Sequence, residues 1–224
     1  MKKEKDKKTK EEKLVEKKDF DSDGKQSSGE IKRFWNWLWH SNSVASWIAA
    51  FLLAFILVRF ILLPFLSLGL QTSLPLVVVE STSMEHFEDF DKWWQSQENI
   101  YKKFFINKTD AESWPLKNGL KKGDIVIIFG KNPEKIKQGN IIVFRAGGTK
   151  ALIHRVVDVE KFVSSEGNVT KTEIVFSTKG DNNIGQLESE RTIKENQVEG
   201  VALARIPYLG WLKLIFVEAF SGGR

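Results

Sequence analysis

The chain has no cysteine among its 224 residues. That absence rules out a disulfide framework, a thiolate zinc site and a thiol nucleophile, and it leaves thiol usage silent on compartment. Histidine is scarce as well. His40, His86 and His154 stand far apart with no paired metal-ligand spacing, so neither a metal site nor a cofactor is expected. Net charge is only +5. Residues 1–33 hold twelve Lys/Arg against nine Asp/Glu, which leaves +3 of that total in one tail. The rest shows no basic and aromatic periodicity, so no nucleic-acid partner is expected. Long amphipathic helices between the strand-like segments are also missing, which excludes a parallel α/β sheet.

One long stretch lacks charge. From Val44 to Leu70 the only formal charge is Arg59. That run exceeds the ~20 residues that cross ~30 Å of hydrocarbon. It starts too far in and runs too long for a cleaved leader, and so reads as one transmembrane helix. Pro64 is expected to end or kink it, and Arg59 to snorkel toward the far surface. Lys25, Lys32 and Arg33 precede the span, and after Arg59 no basic residue occurs until Lys92. The positive-inside rule then puts the N-terminus in the cytoplasm and everything after about Gln71 outside it. Residues 1–30 are Lys/Glu/Asp/Ser/Gly-rich and predicted to be disordered. Residues 31–43, with Trp35, Trp37 and Trp39 beside Lys32 and Arg33, read as an interfacial segment.

Residues 71–220 form the predicted exoplasmic domain. Leu76–Val79 is a short apolar strand that breaks into Glu80-Ser81-Thr82-Ser83-Met84. Further strands are expected over 124–129, 140–145, 151–160, 172–178 and 198–206. Residues 85–118 contain no glycine before Gly119 and read as an insertion of one or two short helices, with an apolar face from Phe87, Phe90, Trp93, Trp94, Tyr101, Phe104 and Phe105. Pro207–Phe220 is apolar but too short to span, and is expected to close the sheet or touch lipid. The fold class is mainly β: a twisted antiparallel sheet or partial barrel, one N-terminal transmembrane helix and a small helical insertion. Asn107-Lys108-Thr109 and Asn168-Val169-Thr170 match the N-glycosylation pattern.

Ser81 and Ser83, one residue apart after a strand, can present two hydroxyls on one side of the chain. One could attack a carbonyl while the other donates to the oxyanion. His154, within Ala151-Leu152-Ile153-His154-Arg155-Val156-Val157, is a candidate base, and Asp181, in Gly180-Asp181-Asn182-Asn183, a candidate acid to orient it. Arg145, Lys150 and Lys179 read as solvated charges.

The blocks Ser81–Met84, Lys122–Val126, Gly139–Val143, His154–Val157 and Thr178–Asn183 stand in the order found in type I signal peptidases, behind a membrane anchor. The chain resembles that family over residues 45–84 and 120–217. Bacterial members carry lysine before an Arg-Val pair; His154 stands there, as in the archaeal and endoplasmic-reticulum branch. The resemblance implies Ser83 as nucleophile, Ser81 in the oxyanion hole, His154 as base and later acid, and Asp181 in support. It implies cleavage of signal peptides of secretory preproteins after small residues, in shallow pockets lined by 76–79 and part of 140–145. The partners it implies are those preproteins, the lipid bilayer and the secretion translocon, at the cell membrane, with the endoplasmic reticulum membrane as second choice. His86 and the insertion stand where the family has a proline and a direct passage to its Gly-Asp strand. Past Gly180-Asp181-Asn182 the second aspartate of eukaryotic-type members is missing. The nearest acid is Glu188, so Asp181, Glu188 or a bare Ser/His dyad remain open. The competing reading is a non-catalytic, membrane-anchored β-domain that binds exported chains or a partner.

Overall fold

The computed structural model describes residues 29–147, 151–166 and 169–220. Most of the tail expected to be disordered, and Asn168 and Lys150, lie outside them. The chain divides into two units, Met1–Leu62 and Leu63–Arg224. In the first, the Trp-rich segment is a helix, α1 (29–40), that exposes Trp35, Trp37 and Trp39. Trp35 and Trp39, one turn apart, stack with centroids at 6.4 Å. Three residues break it before α2, Val44–Leu70, the helix long and apolar enough to cross a membrane. Ser43 caps α2 by accepting the Ser46 N–H.

Pro64 does not end α2, one of the two effects expected of it. A π-helical turn, Val58–Leu62, lies immediately before Leu63–Leu70. Proline lacks the N–H that an ordinary turn would bond to the carbonyl four residues back, and its ring crowds that carbonyl. A locally widened turn relieves both demands, and the helix runs on to Leu70.

The second unit is built on seven antiparallel strands in the order β1-β2-β7-β3-β4-β5-β6. They are β1 (Leu76–Val78), β2 (Ile125–Phe129), β3 (Ile141–Arg145), β4 (Ala151–Glu166), β5 (Val169–Lys179), β6 (Ile193–Lys194) and β7 (Val198–Ile206). Each apolar segment read from the sequence is a strand, with β4 and β5 longer at their shared hairpin end. At two residues, β6 is too short to show any periodicity.

Both faces of the sheet carry core. Val77, Val126, Ile128, Val143, Ala202 and Ile153, from β1, β2, β3, β7 and β4, meet in one cluster with Val79 and Met84. Ile142, Phe144, Val156, Ile174, Phe176 and Ile193 form a second cluster. Adjacent residues in a strand point to opposite faces, so Ile142 and Val143 serve different cores. This is why Ile141–Phe144 is buried throughout instead of alternating. In a flat sheet, four strand spacings of about 4.8 Å would separate β1 from β4. Their sharing of the first cluster means that the sheet curls.

The insertion forms α3 (Phe90–Tyr101), a single 3-10 turn (Lys102–Phe104) and α4 (Lys108–Glu112). Asp89 caps α3, and a reciprocal Asn107–Asp110 box caps α4. Its core is aromatic. Trp93, Trp94, Tyr101 and Trp114 pack with Ile106 and Ala111 against Val157, at the position where a bulge interrupts the β4–β5 register. Phe87 and Phe105 are exposed and take no part. The C-terminal segment is a helix, α5 (Trp211–Phe220). Its approach is fixed by the Gly210 N–H donating to Gly123 O at 2.8 Å.

Phe176 is fully buried between β4 and β6. Phe176→Ala is expected to cost about 3–5 kcal/mol, read as a lowered melting temperature in detergent; an unchanged melting temperature would contradict this packing.

Candidate active site

Ser83 follows β1 in a turn held on both sides. The Leu120 N–H donates to Met84 O at 2.8 Å, and the Asn182 N–H donates to Ser83 O at 2.8 Å. Asn182 Nδ2 also donates to Thr82 O at 3.2 Å. Only glycine fits at 180 in this arrangement, since a Cβ there would lie 2.9 Å from Ser83 O. Met84 is fully buried, and its sulfur accepts the Asp181 N–H at 3.4 Å.

The curl of the sheet brings His154, on β4, to this turn. His154 Nε2 lies 3.0 Å from Ser83 Oγ, and Ser81 Oγ lies 3.0 Å from the same oxygen. The three residues expected to meet do meet. On the other side of the ring, Nδ1 faces Glu190 Oε1 in direct contact, and neither atom has another polar partner among the described residues. Glu190 is fully buried, and its second oxygen accepts the Leu187 N–H. Ser83, His154 and Glu190 thus form a continuous hydroxyl–imidazole–carboxylate relay.

The acids named from the sequence lie elsewhere. The Glu188 side chain is 89% exposed and pairs with Arg191. Asp181 is buried, but its carboxylate engages Arg155 and the insertion, not His154. Oδ1 accepts Arg155 Nε at 2.8 Å and the Tyr101 hydroxyl at 3.0 Å. Oδ2 accepts Arg155 Nη2 at 2.6 Å and lies 3.0 Å from His86 Nε2. Arg155 spends its remaining N–H groups on the carbonyls of Pro115, Gly139 and Leu116, and its guanidinium stacks over Trp114 at 4.8 Å. Burial works to raise the Asp181 pKa, yet the charge and hydrogen bonds of Arg155, with His86 adding, outweigh it and hold the carboxyl well below the usual range. His86, whose ring stacks on Trp93 with centroids at 3.8 Å, belongs to this cluster.

Lys179 is also corrected: it is fully buried, not solvated. Its ammonium donates to Gln97 Oε1 and Gly180 O, each at 2.9 Å, above the Tyr101 ring. Burial lowers its pKa from 10.5 to about 8, partly offset by the charges of Asp181 and Glu190. Arg145 pairs with Glu199 at 2.6 Å.

The site opens into a cleft of about 540 Å³. Leu74, Leu76, Val77 and Val78 line one side and Ala151–His154 the other, with Glu80, Arg145 and Lys213 also present. From the expected 140–145 strand only Arg145 takes part. β1 ends the sheet, and β4 is paired by β5 only from Arg155 onward. Both walls therefore present strand edges that no other strand pairs among the described residues. The site residue that sequence reading missed is Glu190, two positions beyond the acid it named; the one signal was an acid three residues after Leu187, the spacing of a short helical turn. No protein-family model matches the chain, and no curated protein matches it either.

Two outcomes follow for the buried charges. Asp181→Asn leaves Arg155 without its counter-charge and is expected to cost about 3–5 kcal/mol in denaturant unfolding; a loss under 1 kcal/mol would contradict the assignment. Lys179 has a folded pKa below its unfolded one, so the penalty for burying its charge is full below pH 8. As pH rises from 8 toward 10.5 the unfolded chain keeps the proton that the folded one loses, and stability should increase. Wild type measured against Lys179→Met should gain stability from pH 8 to 10; a difference independent of pH would refute it.

Proposed function

We propose that this chain is a membrane-anchored serine endopeptidase of the signal-peptidase kind, removing signal peptides from preproteins on the exoplasmic side of the cell membrane. The observation that carries the reading is the relay itself: Ser83 Oγ on His154 Nε2, and His154 Nδ1 on Glu190. A hydroxyl is a weak nucleophile until a positioned base takes its proton, and an acid on the far nitrogen fixes the tautomer that leaves Nε2 free to do so.

In this reading Ser83 Oγ attacks the scissile carbonyl carbon while its proton passes to His154 Nε2. Glu190 stabilises the imidazolium without taking the proton. The Ser81 hydroxyl, with backbone N–H groups near Ser83, donates to the oxyanion. Collapse breaks the C–N bond, and His154 returns the proton to the departing amine, the new N-terminus of the mature protein. Water then enters, loses a proton to His154 and hydrolyses the Ser83 ester, freeing the signal peptide as a carboxylic acid and restoring the hydroxyl. Asp181 and Arg155 touch no reacting atom in this scheme; they hold the strand of the base against the loop that carries the nucleophile.

The cleft suits an extended peptide. A segment laid between the free edge of β1 and Ala151–His154 can pair its main chain with either wall, a mode that tolerates varied sequence. Selection for small residues at the cut and delivery from the translocon follow from the family resemblance, and an N-terminus in the cytoplasm from Lys25, Lys32 and Arg33 ahead of α2.

A preprotein incubated with detergent-solubilised protein should be cut by wild type and left intact by Ser83→Ala and His154→Ala. Equal processing by Ser83→Ala would remove that hydroxyl from the chemistry. Glu190→Gln should lower kcat by about 10²–10⁴-fold with KM little changed, as losing the acid of such a relay does; Glu188→Gln should leave kcat as it was.

A further inference from the structure

We propose that Lys179 is a positioning residue: its buried ammonium holds the turn that grips the nucleophile, and full turnover requires that nitrogen to be charged. This deepens the peptidase reading and rests on it.

No step of the proposed hydrolysis uses Lys179, yet its surroundings are built for a cation. The side chain is fully buried. In the strand register it stands opposite Arg155, next to the residue that carries the base. An ammonium has three N–H groups, and three oxygens receive them: Gln97 Oε1 at 2.9 Å, Gly180 O at 2.9 Å and Asp181 O at 3.4 Å. The Tyr101 ring lies 4.8 Å from the same nitrogen. Two of those oxygens belong to the residues that lead into the support of the nucleophile. The Asp181 N–H reaches the Met84 sulfur, and the Asn182 N–H holds Ser83 O at 2.8 Å. A Cβ at Gly180 would lie 2.9 Å from Ser83 O, so the turn packs directly on the nucleophile's backbone. A shift in residues 180–182 therefore moves Ser83.

Charge matters here as well as shape. Charge-assisted hydrogen bonds are roughly twice as strong as neutral ones. An amine that has lost its proton keeps two N–H groups and turns a lone pair toward the third oxygen. The hold on Gly180 O and Asp181 O then weakens, and Ser83 Oγ is free to drift from His154 Nε2. A displacement of about 1 Å can cost a reaction roughly 100-fold.

Retention of the charge points the same way. A methionine would occupy this space with no ion to desolvate, and perturbed buried charges cluster at functional sites. The charged and titratable groups around the ammonium are Asp181 in the turn, Glu190 at the end of the 3-10 turn Glu188–Glu190, Arg155 on β4 and Tyr101 on α3. Burial lowers the Lys179 pKa to about 8; Asp181 and Glu190 work to raise it, and Arg155 adds to the lowering. Asp181 stays ionised, Arg155 charged and the Tyr101 hydroxyl neutral through that range.

The test follows kcat for preprotein cleavage by the full-length protein in detergent, across neutral and alkaline pH. Wild type should lose activity above about pH 8. Lys179→Met should lower kcat roughly 10-fold at neutral pH with KM little changed, and should lack the alkaline fall. Gln97→Met removes one acceptor of the ammonium and should move the fall to lower pH. No fall in wild type would overturn the proposal. So would a fall that survives in Lys179→Met, the result expected of a residue that serves stability alone. Hydrogen exchange at the Asn182 amide reads the turn without substrate. Its protection, corrected for the intrinsic effect of pH, should drop in wild type above about pH 8 and be low and independent of pH in Lys179→Met. Protection that stays constant in wild type would overturn the proposal whether or not the protein cleaves preproteins, so its failure and the failure of the peptidase reading are separate results.

Discussion

The buried pairing of Arg155 with Asp181 is the constraint from which the arrangement of the site follows. Burying two opposite charges stabilises a fold only when every donor and lone pair is matched. Here all five guanidinium N–H groups find acceptors, and both carboxylate oxygens receive two partners each. One residue before Arg155 stands His154; one residue after Asp181, the Asn182 N–H holds Ser83 O. A single ion pair therefore fixes the separation of two groups that are 71 positions apart in sequence.

The same pair explains the insertion. Residues 85–118 carry an aromatic cluster, and that cluster is anchored at its centre. Tyr101 and His86 bond the Asp181 carboxylate, and Trp93 Nε1 donates to the Asp181 carbonyl at 3.1 Å. These three rings, with Trp114 over the guanidinium, exclude water from the charges, which strengthens their attraction and raises the cost of losing either partner. Burial drives the Tyr101 hydroxyl well above its ordinary pKa, with the Asp181 charge adding, so it remains a donor across the physiological range.

Much of this was legible in the sequence, for reasons that differ by element. The strands were readable because apolar β-branched runs between turn residues have few other uses, as at Ile125–Phe129 and Ile141–Arg145. The meeting of Ser81, Ser83 and His154 followed from their places at strand ends and from the order of the blocks around them. Glu190 was hidden because its burial has no local cause. Glu188, Ser189 and Arg191 around it are polar, and what encloses it is the distant His154. Lys179 misled for the same reason: its partners, Gln97 and Tyr101, come from the insertion. Pro64 was read by its usual effect, and the π turn that absorbs it leaves no mark in composition. Asp181 was assigned to the imidazole because it follows the end of a strand and falls in one of the ordered blocks; the Arg155 guanidinium had the stronger claim.

The account stands on Ser83 Oγ being the atom that takes the acyl group. Mixing the full-length protein with a short excess of a signal-peptide-derived ester, quenching in acid within the first turnover and measuring intact and fragment mass reads this directly. The predicted result is one acyl unit carried on the peptide containing Ser83 and absent from Ser83→Ala. Turnover with no acyl adduct, or an adduct on another residue, would contradict it.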